Sequence, residues 1–349
     1  MIKNKEKILD KKKEIMKIFS GKIILVTGGL GSIGSAIVQE LLKYNPKLVR
    51  VVDNRETEIY YAIEERKNES VKYFFADVRE KESIKKIISG VDIVFHAAAM
   101  KHVGICEQHP FEAVKTNILG TQNVIESCIE AGVEKMIFIS TDKAVNPNSV
   151  MGTTKLLAER MVSAMNSSHT NLKTKFGVVR FGNVLYSRGS VLEVWKDQLK
   201  NNEKITITDP EMTRFIMGIP QSIELIFSAM RYIFDSEIFI LKMPSCKIRT
   251  LAEAYLEING KPANYYKLIK PNEGEKDHEE LLANIESKFL MENDQFFLRL
   301  PLRLDDGNIE PYLKMGFKSS KEKGFISSDE RYLLDRESLK VILKRYIHE

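Results

Sequence analysis

The sequence predicts an α/β protein, a doubly wound parallel sheet with a smaller C-terminal region beside it. Two observations predict it. Short apolar runs recur along the first half of the chain, separated by helix-like segments. The first run closes on glycines and the second ends on an aspartate. Strands that alternate with helices form a parallel sheet covered on both faces.

KIILVT at 22–27 is a short apolar run of the kind buried in parallel sheets. A helical pattern follows from Ser32 to Tyr44, then a second strand, LVRVVD, ends at Asp53. The pattern repeats as VKYFFAD near Asp77, DIVFHAAA from Asp92, KMIFIST ending at Thr141 and KFGVVRFGNV from Lys175. Right-handed crossovers put the C-terminal ends of these strands on one edge, where open α/β sheets carry their chemistry. Beyond about residue 185 the alternation weakens. Strand candidates KITITD and EIFILKM mix with helices around 220–234 and 250–258, which reads as a substrate-capping region. The expected organisation is an N-terminal helical extension (1–20), a dinucleotide-binding domain (21–185) and a mainly substrate-binding region (186–349), with interleaved boundaries.

The 349 residues are 43% hydrophobic, enough for one large domain or two intimate ones. A net charge of +5 with acids and bases intermixed describes a surface that favours anionic ligands, not a nucleic-acid footprint. Cys106, Cys128 and Cys246 lie far apart and fit a reduced, cytoplasmic setting. No His-Glu-Cys spacing points to a metal, and His109, His169 and His348 read as structural or exposed. No run approaches the roughly 18 apolar residues that cross a bilayer. The lysine-rich N-terminus has acids interspersed, so it does not read as a secretory signal. Ile8, Ile15, Met16 and Phe19 line one face of a leading helix packed on the body; a membrane-surface or partner-binding helix is the alternative.

Thr27-Gly28-Gly29-Leu30-Gly31-Ser32-Ile33-Gly34 follows the first strand and opens a helix. Glycines let the backbone approach a pyrophosphate, and the helix N-terminus offers free N–H groups and a positive dipole end. Asp53 follows Gly34 by 19 positions, at the end of the second strand. A carboxylate there accepts hydrogen bonds from both ribose hydroxyls, which favours NAD over NADP. Arg55 keeps NADP open, because a nearby arginine holds a 2′-phosphate.

These residues resemble the extended short-chain dehydrogenase/reductase superfamily, a Rossmann fold. Gly28, Gly31, Gly34, Asp77, His96-Ala97-Ala98-Ala99 and Asn117-Ile118-Leu119-Gly120-Thr121 all match. Five further motifs resemble the UDP-N-acetylglucosamine 4,6-dehydratases of polysaccharide and protein glycosylation. They are Met100-Lys101-His102-Val103, Ser140-Thr141-Asp142-Lys143-Ala144, Arg180-Phe181-Gly182-Asn183-Val184, Asp209-Pro210-Glu211-Met212-Thr213-Arg214-Phe215 and Gly274-Glu275-Lys276-Asp277-His278-Glu279-Glu280. The resemblance spans about residues 20 to 285; many long members carry an N-terminal membrane region that is missing here. It implies a nicotinamide cofactor kept through turnover, a nucleotide-sugar substrate and a homo-oligomer paired through helices. It also implies that Ser32, Ile33, Val78, Asn117 and Lys155 join the glycines, Asp53, Asp77 and Ala97–Ala99 at the dinucleotide.

The implied reaction oxidises C4 of the sugar, acidifies C5, expels the C6 hydroxyl as water and returns hydride to C6. By resemblance, Asp142 is the acid at O6 and Lys143 the base at C5. A free aspartate is ionised and a free lysine protonated at neutral pH. A closed pocket penalises both charges, which is expected to favour the acid–amine arrangement with the same proton count. The superfamily's usual tyrosine, four residues before Lys155, is Met151 here. Methionine transfers no proton, which leaves the acceptor of the O4 proton open; Thr141 is a candidate relay, with water or with Asp142. Arg214 and Arg188 are candidates for the substrate phosphates. Thr213 stands beside them, Asn183 is expected to touch substrate, and Lys101 and His102 to meet the sugar or its acetamido group. Glu275 and Glu280 are candidates for the nucleoside ribose or for holding basic residues in place. The alternatives left open are a GDP-linked substrate, an epimerase of the same fold and a non-catalytic dinucleotide-binding protein.

Overall fold

The computed structural model describes residues 12–65, 68–168, 172–271, 273–301 and 309–347; Ile8, His169 and His348 lie outside them. Helix α1 (12–19) leads into β1 (Ile23–Thr27), α2 (Ser32–Leu41), β2 (Leu48–Asp53), α3 (Glu56–Glu65), β3 (Val71–Phe75), α4 (Lys81–Ile88) and β4 (Ile93–His96). Short helices α5 (Val103–Gln108) and α6 (Pro110–Ala113) precede α7 (Gly120–Ala131), and β5 (Lys135–Ile139), α8 (Val150–Ser168) and β6 (Lys175–Arg180) complete the alternation. The next stretch runs β7 (Asn183–Val184), α9 (Val191–Lys200), β8 (Ile205–Ile207), β9 (Thr213–Met217), α10 (Ile219–Tyr232), β10 (Ile238–Leu241), β11 (Ser245–Lys247) and α11 (Ile248–Ile258). The chain then passes through β12 (Tyr266–Leu268), β13 (Glu280–Leu282), β14 (Leu290–Glu292), β15 (Phe296–Arg299), α12 (Glu310–Lys314), β16 (Lys318–Ser319), β17 (Phe325–Ile326) and α13 (Arg336–Ile347).

The central sheet has the order β16-β14-β15-β10-β6-β5-β4-β1-β2-β3. Every pairing from β10 to β3 is parallel, and β15, β14 and β16 extend the other side antiparallel. This is the doubly wound α/β fold that the sequence predicts. The strand order reverses between β1 and β4, so a crevice opens at the C-terminal ends of those two strands.

The sequence placed several boundaries differently. The first helix ends at Leu41 and tightens into a 3₁₀ turn, Leu42–Tyr44. KMIFIST stops pairing as a strand at Ile139, because Thr141 caps a 3₁₀ turn over Asp142–Ala144. KFGVVRFGNV breaks after Arg180: Asn183–Val184 leaves to pair with β9 in a separate three-stranded sheet. EIFILKM supplies β10, whose Ile238, Phe239 and Ile240 are buried in the central sheet and not in a cap. A continuous apolar strand fits that position because both its faces are covered.

Helix α1 packs on the body. Ile15 and Phe19 are buried, and the Phe19 ring lies 4.8 Å from Phe227 and 6.0 Å from both Tyr44 and Phe95. The main core runs the length of the sheet, and a second apolar cluster gathers Trp195, Tyr255, Leu256 and Leu343. Arg180, buried at the end of β6, binds Glu159 of α8 at 2.6 Å and Glu286 at 2.9 Å, and so ties the two halves of the chain together. Phe19→Ala should cost about 3–5 kcal/mol of unfolding free energy, as a buried ring leaves a cavity. Urea denaturation followed by fluorescence and circular dichroism measures it.

Candidate active site

A cavity of about 980 Å³ opens at the C-terminal edge of the sheet. The glycine turn forms its floor. Gly28 takes φ +62°, and a Cβ there would stand 2.7 Å from the Ala98 Cα, so the turn after β1 touches the loop after β4. Gly31 caps α2 in extended geometry, and its N–H donates to the Gly28 carbonyl at 3.0 Å. Gly28, Gly31, Ser32, Ile33, Gly34, Asp53, Arg55, Asp77, Val78 and Ala97–Ala99 all line the cavity. A groove this close to backbone, at the start of a ten-residue helix without acids in its first turn, fits a pyrophosphate.

Asp53 accepts the Leu30 N–H at 3.1 Å and a fork from Arg55, Nε at 2.8 Å and Nη2 at 3.0 Å. Asp77 is held by Arg79 at 2.7 Å and Asn54 at 3.1 Å. Burial pushes the Asp77 carboxyl up, but those hydrogen bonds outweigh it and leave the group below its ordinary value. Asn54 and Arg79 also line the cavity, and the sequence reading missed both. Asn117 stands apart from the cavity lining. It is buried, accepts the Met100 N–H at 2.8 Å and donates to Thr154 at 3.0 Å, so it shapes the loop that carries Lys101 and His102. His96 sits between Thr27 at 2.7 Å and Thr121 at 3.0 Å. Burial, with the Lys155 charge, presses it down to about 3, so this histidine is a neutral pin between β1, β4 and α7.

Thr141, Asp142, Lys143, Met151 and Lys155 meet on one wall of the cavity. The Thr141 hydroxyl donates to Asp142 Oδ1 at 2.8 Å, and Lys143 Nζ reaches the same oxygen at 3.0 Å. Asp142 is 1% exposed, and its Oδ2 has no hydrogen-bond partner among the described residues. Burial lifts the Asp142 pKa above the ordinary carboxylate value; Lys143 opposes this and Glu279 adds to it. The expectation that burial turns Lys143 into a neutral amine is corrected here. Burial does push it down, but Asp142 at 3.0 Å and Glu279 at 3.2 Å outweigh that, and its pKa lies above the ordinary lysine value. Glu279 was quoted in a motif but not singled out, since a buried glutamate arriving from beyond the sheet leaves no local spacing signal. Lys155 differs: burial, only partly offset by Glu159, lowers it to about 7. Its Nζ donates to the Ile139 carbonyl at 2.6 Å and lies 3.9 Å above the Phe138 ring. Met151 is buried in an apolar patch with Cys106, Ala113, Met100 and Val103.

The far side of the cavity is lined by Lys101, His102, Asn183, Arg188, Arg214 and Glu275. Lys101 donates to the Arg188 carbonyl at 2.5 Å, and Arg188 N–H donates to Ser32 at 2.9 Å, which bridges this rim to the glycine turn. Arg214 is buried, pairs with Glu275 at 3.2 Å and donates to the Thr213 and Asp277 carbonyls. Thr213 and Glu280 lie outside the cavity lining. Thr213 bonds Ser327 at 2.6 Å and His278 at 2.9 Å, and Glu280 accepts from Asn146 at 3.0 Å. Ser190, Trp195, Ile248, Leu251 and Ile269 complete the wall without any motif to announce them. Among the described residues the cysteines are buried and unpaired, no acid–histidine–cysteine group is placed to hold a metal, and no helix is long and apolar enough to cross a membrane.

Comparison with known proteins sets this geometry among relatives. A family described as polysaccharide biosynthesis protein matches residues 24–300. An uncharacterised membrane protein of Methanocaldococcus jannaschii is 46% identical over 95% of this chain and 98% of its own length. A UDP-N-acetylglucosamine 4,6-dehydratase (inverting) of Campylobacter jejuni is 37% identical, over 91% and 98%. A UDP-glucose 4-epimerase of Rickettsia bellii is 36% identical, over 93% and 96%. The X-ray structure of Pen from Bacillus thuringiensis superposes with a TM-score of 0.86 at 36% identity, covering 94% of this chain and 99% of that one. A Streptomyces venezuelae dTDP-glucose 4,6-dehydratase with NAD and TYD bound shares the fold, with a TM-score of 0.67 at 19% identity over 73% and 86%.

One lysine of this protein should titrate near pH 7 in the absence of ligands. NMR of ¹³C-methylated lysines should show it, and Lys155→Met should remove that resonance and no other.

Proposed function

Because the chain belongs to the polysaccharide biosynthesis protein family of extended short-chain dehydrogenases/reductases, we propose that it is a nucleotide-sugar 4,6-dehydratase acting on UDP-N-acetylglucosamine. The observation that carries this reading is the placement of Asp142 and Lys143. Their side chains meet at 3.0 Å on the wall between the glycine cradle and the Arg188–Arg214 rim. An epimerase has no use for an acid and a base at C6 and C5.

The cradle supports NAD. Gly28, Gly31 and Gly34 let backbone approach a pyrophosphate at the α2 N-terminus, and the Asp53 carboxylate is placed for the adenosine ribose. When bound, NAD supplies hydride acceptance at C4 and hydride return at C6. Lys155, below its ordinary pKa, lines the same cavity as Thr141 and would contact the nicotinamide ribose.

The protein's own groups carry the protons. Thr141 takes the O4 proton as its own hydroxyl hydrogen passes along the 2.8 Å bond to Asp142. Asp142, whose proton affinity burial has raised, then gives that proton to O6 as the C6–O bond breaks. The proton lost from O4 therefore leaves in the water formed at C6. Lys143 takes the C5 proton, which the neighbouring ketone acidifies. Positioned acid–base groups of this kind contribute roughly 10²–10⁴-fold. Arg188 and Arg214 provide guanidinium groups for the second pyrophosphate, and Lys101 and His102 stand nearer the sugar.

Incubation with UDP-N-acetylglucosamine should yield a product lighter by one water in mass spectrometry. Unchanged mass with an altered hexose would establish an epimerase, and conversion of the GDP-linked sugar alone would move the substrate assignment. Thr141→Val should slow turnover about 100-fold or more with dinucleotide binding intact. Near-normal turnover of that variant would remove Thr141 from the relay.

A further inference from the structure

Lys143 Nζ lies 3.0 Å from Asp142 and 3.2 Å from Glu279, and two carboxylates at that range favour its ammonium form. A base at C5 must first lose that proton. Asp142 is a poor destination, because it is engaged with the O4 and O6 protons. The other carboxylate, Glu279, has no part in the reaction as derived so far.

The geometry points to Glu279 as a positioning residue that acts through Lys143, holding its ammonium in the resting site and taking its proton when C5 is to be deprotonated. Glu279 Oε1 lies 3.2 Å from Lys143 Nζ. The residue is 2% exposed, and its Oε2 accepts no hydrogen bond among the described residues, which leaves that carboxyl capacity to carry a proton. Its backbone is clamped on both sides by Ser327: Glu279 N–H donates to Ser327 Oγ at 2.9 Å, and Ser327 N–H donates to the Glu279 carbonyl at 2.8 Å. Ser327 Oγ is in turn bound to Thr213 at 2.6 Å, so β9 and the segment before β13 fix the carboxylate against the end of β5. Lys143 lines the cavity and Glu279 does not, so the carboxylate touches the amine from outside the lining.

The inference rests on the dehydratase reading, and its protons balance. The Lys143 Nζ–H bond breaks and a Glu279 O–H bond forms, so an ammonium–carboxylate pair becomes an amine and an acid with no change in net charge. In a site closed to water that exchange removes two desolvated charges at once. The free amine takes the C5 proton while Asp142 protonates O6. Once C5 is reprotonated from Lys143, the Glu279 proton returns to the amine and the starting arrangement is restored. Lys143, Arg214 and Lys276, the last 3.9 Å from Oε2, offset the burial of Glu279 and keep its pKa below the ordinary value, so the carboxylate is its resting form and the proton it takes is held only while C5 is being deprotonated.

Glu279→Gln keeps the shape and removes the acceptor. Without it, Lys143 must lose its proton to bulk solvent. The wild-type kcat should be nearly flat around pH 7–8. In the variant kcat should fall roughly 100-fold at pH 7 and climb about tenfold per pH unit towards pH 9, with KM within about threefold. Glu279→Asp should recover part of the rate and flatten the profile. Thermal unfolding and NAD binding of both variants report whether the fold is intact. A Glu279→Gln profile parallel to wild type, at any rate, reduces Glu279 to a structural partner and overturns the inference alone. Failure of the wild-type enzyme to release water from any nucleotide sugar overturns the dehydratase reading and this role with it.

Discussion

A lysine amine held between two buried carboxylates sets the terms for the rest of this molecule. Removing such charges from water costs several kcal/mol per ion, and only fixed geometry with further partners repays it. The structure supplies that geometry from three separate parts of the chain. The end of β5 turns sharply through Thr141, so that Asp142 and Lys143 leave the sheet on the same side. Segment 274–280 returns from beyond the sheet to bring Glu279 and Lys276, with Lys276 Nζ 3.9 Å from Glu279 Oε2. Strand β9 delivers Arg214, whose charge acts on both Lys143 and Glu279. The C-terminal part of the chain therefore completes the charge environment of the Asp142–Lys143 pair.

The same economy governs the dinucleotide cradle. Gly28 is free of a side chain because the loop after β4 lies against it, and the loop lies there because His96 is pinned between Thr27 and Thr121. A charged imidazole at that place would be an uncompensated cation beside Lys155, and burial keeps it neutral instead. Lys155 in turn spends its one clear hydrogen bond on the last carbonyl of β5. Cofactor floor and reacting wall are thus adjoining faces of one hydrogen-bonded unit at the switch point of the sheet.

The sheet was legible in the sequence because its strands are continuous apolar runs with a turn signal at each end. The glycine turn, Asp53 and the Asp142–Lys143 pair were legible because their chemistry is encoded within a few adjacent residues. What could not be read is what arises from distant segments. Glu279 reaches Lys143 across 136 positions, and its charge adds to that of Asp142 in holding the Lys143 pKa above the ordinary value. Asn117, Thr213 and Glu280 carry the right chemistry for ligands, yet their side chains are engaged with other parts of the protein. Strand β10 was set in the cap because it follows short, irregular elements, although its IFIL sequence has the apolar continuity of a buried parallel strand.

Met151 shows how one substitution moves a function from one element to another. A tyrosine on α8 would place a phenol at the sugar's O4 and use the lysine four residues on to keep it ionised. The methionine instead packs in an apolar patch with Cys106, Ala113 and Met100, and its side chain can transfer no proton. Lys155 is then no longer needed as a standing cation, and it sits at a pKa of about 7, where burial has nearly neutralised it. In the proposed reaction the proton path starts at Thr141, whose hydroxyl lies 2.8 Å from Asp142. Oxidation at C4 and protonation at O6 thereby share one carboxyl group. In that proposed scheme Asp142 is not also the destination for the Lys143 proton, and the carboxylate that stands free for it is Glu279, 3.2 Å from the Lys143 amine.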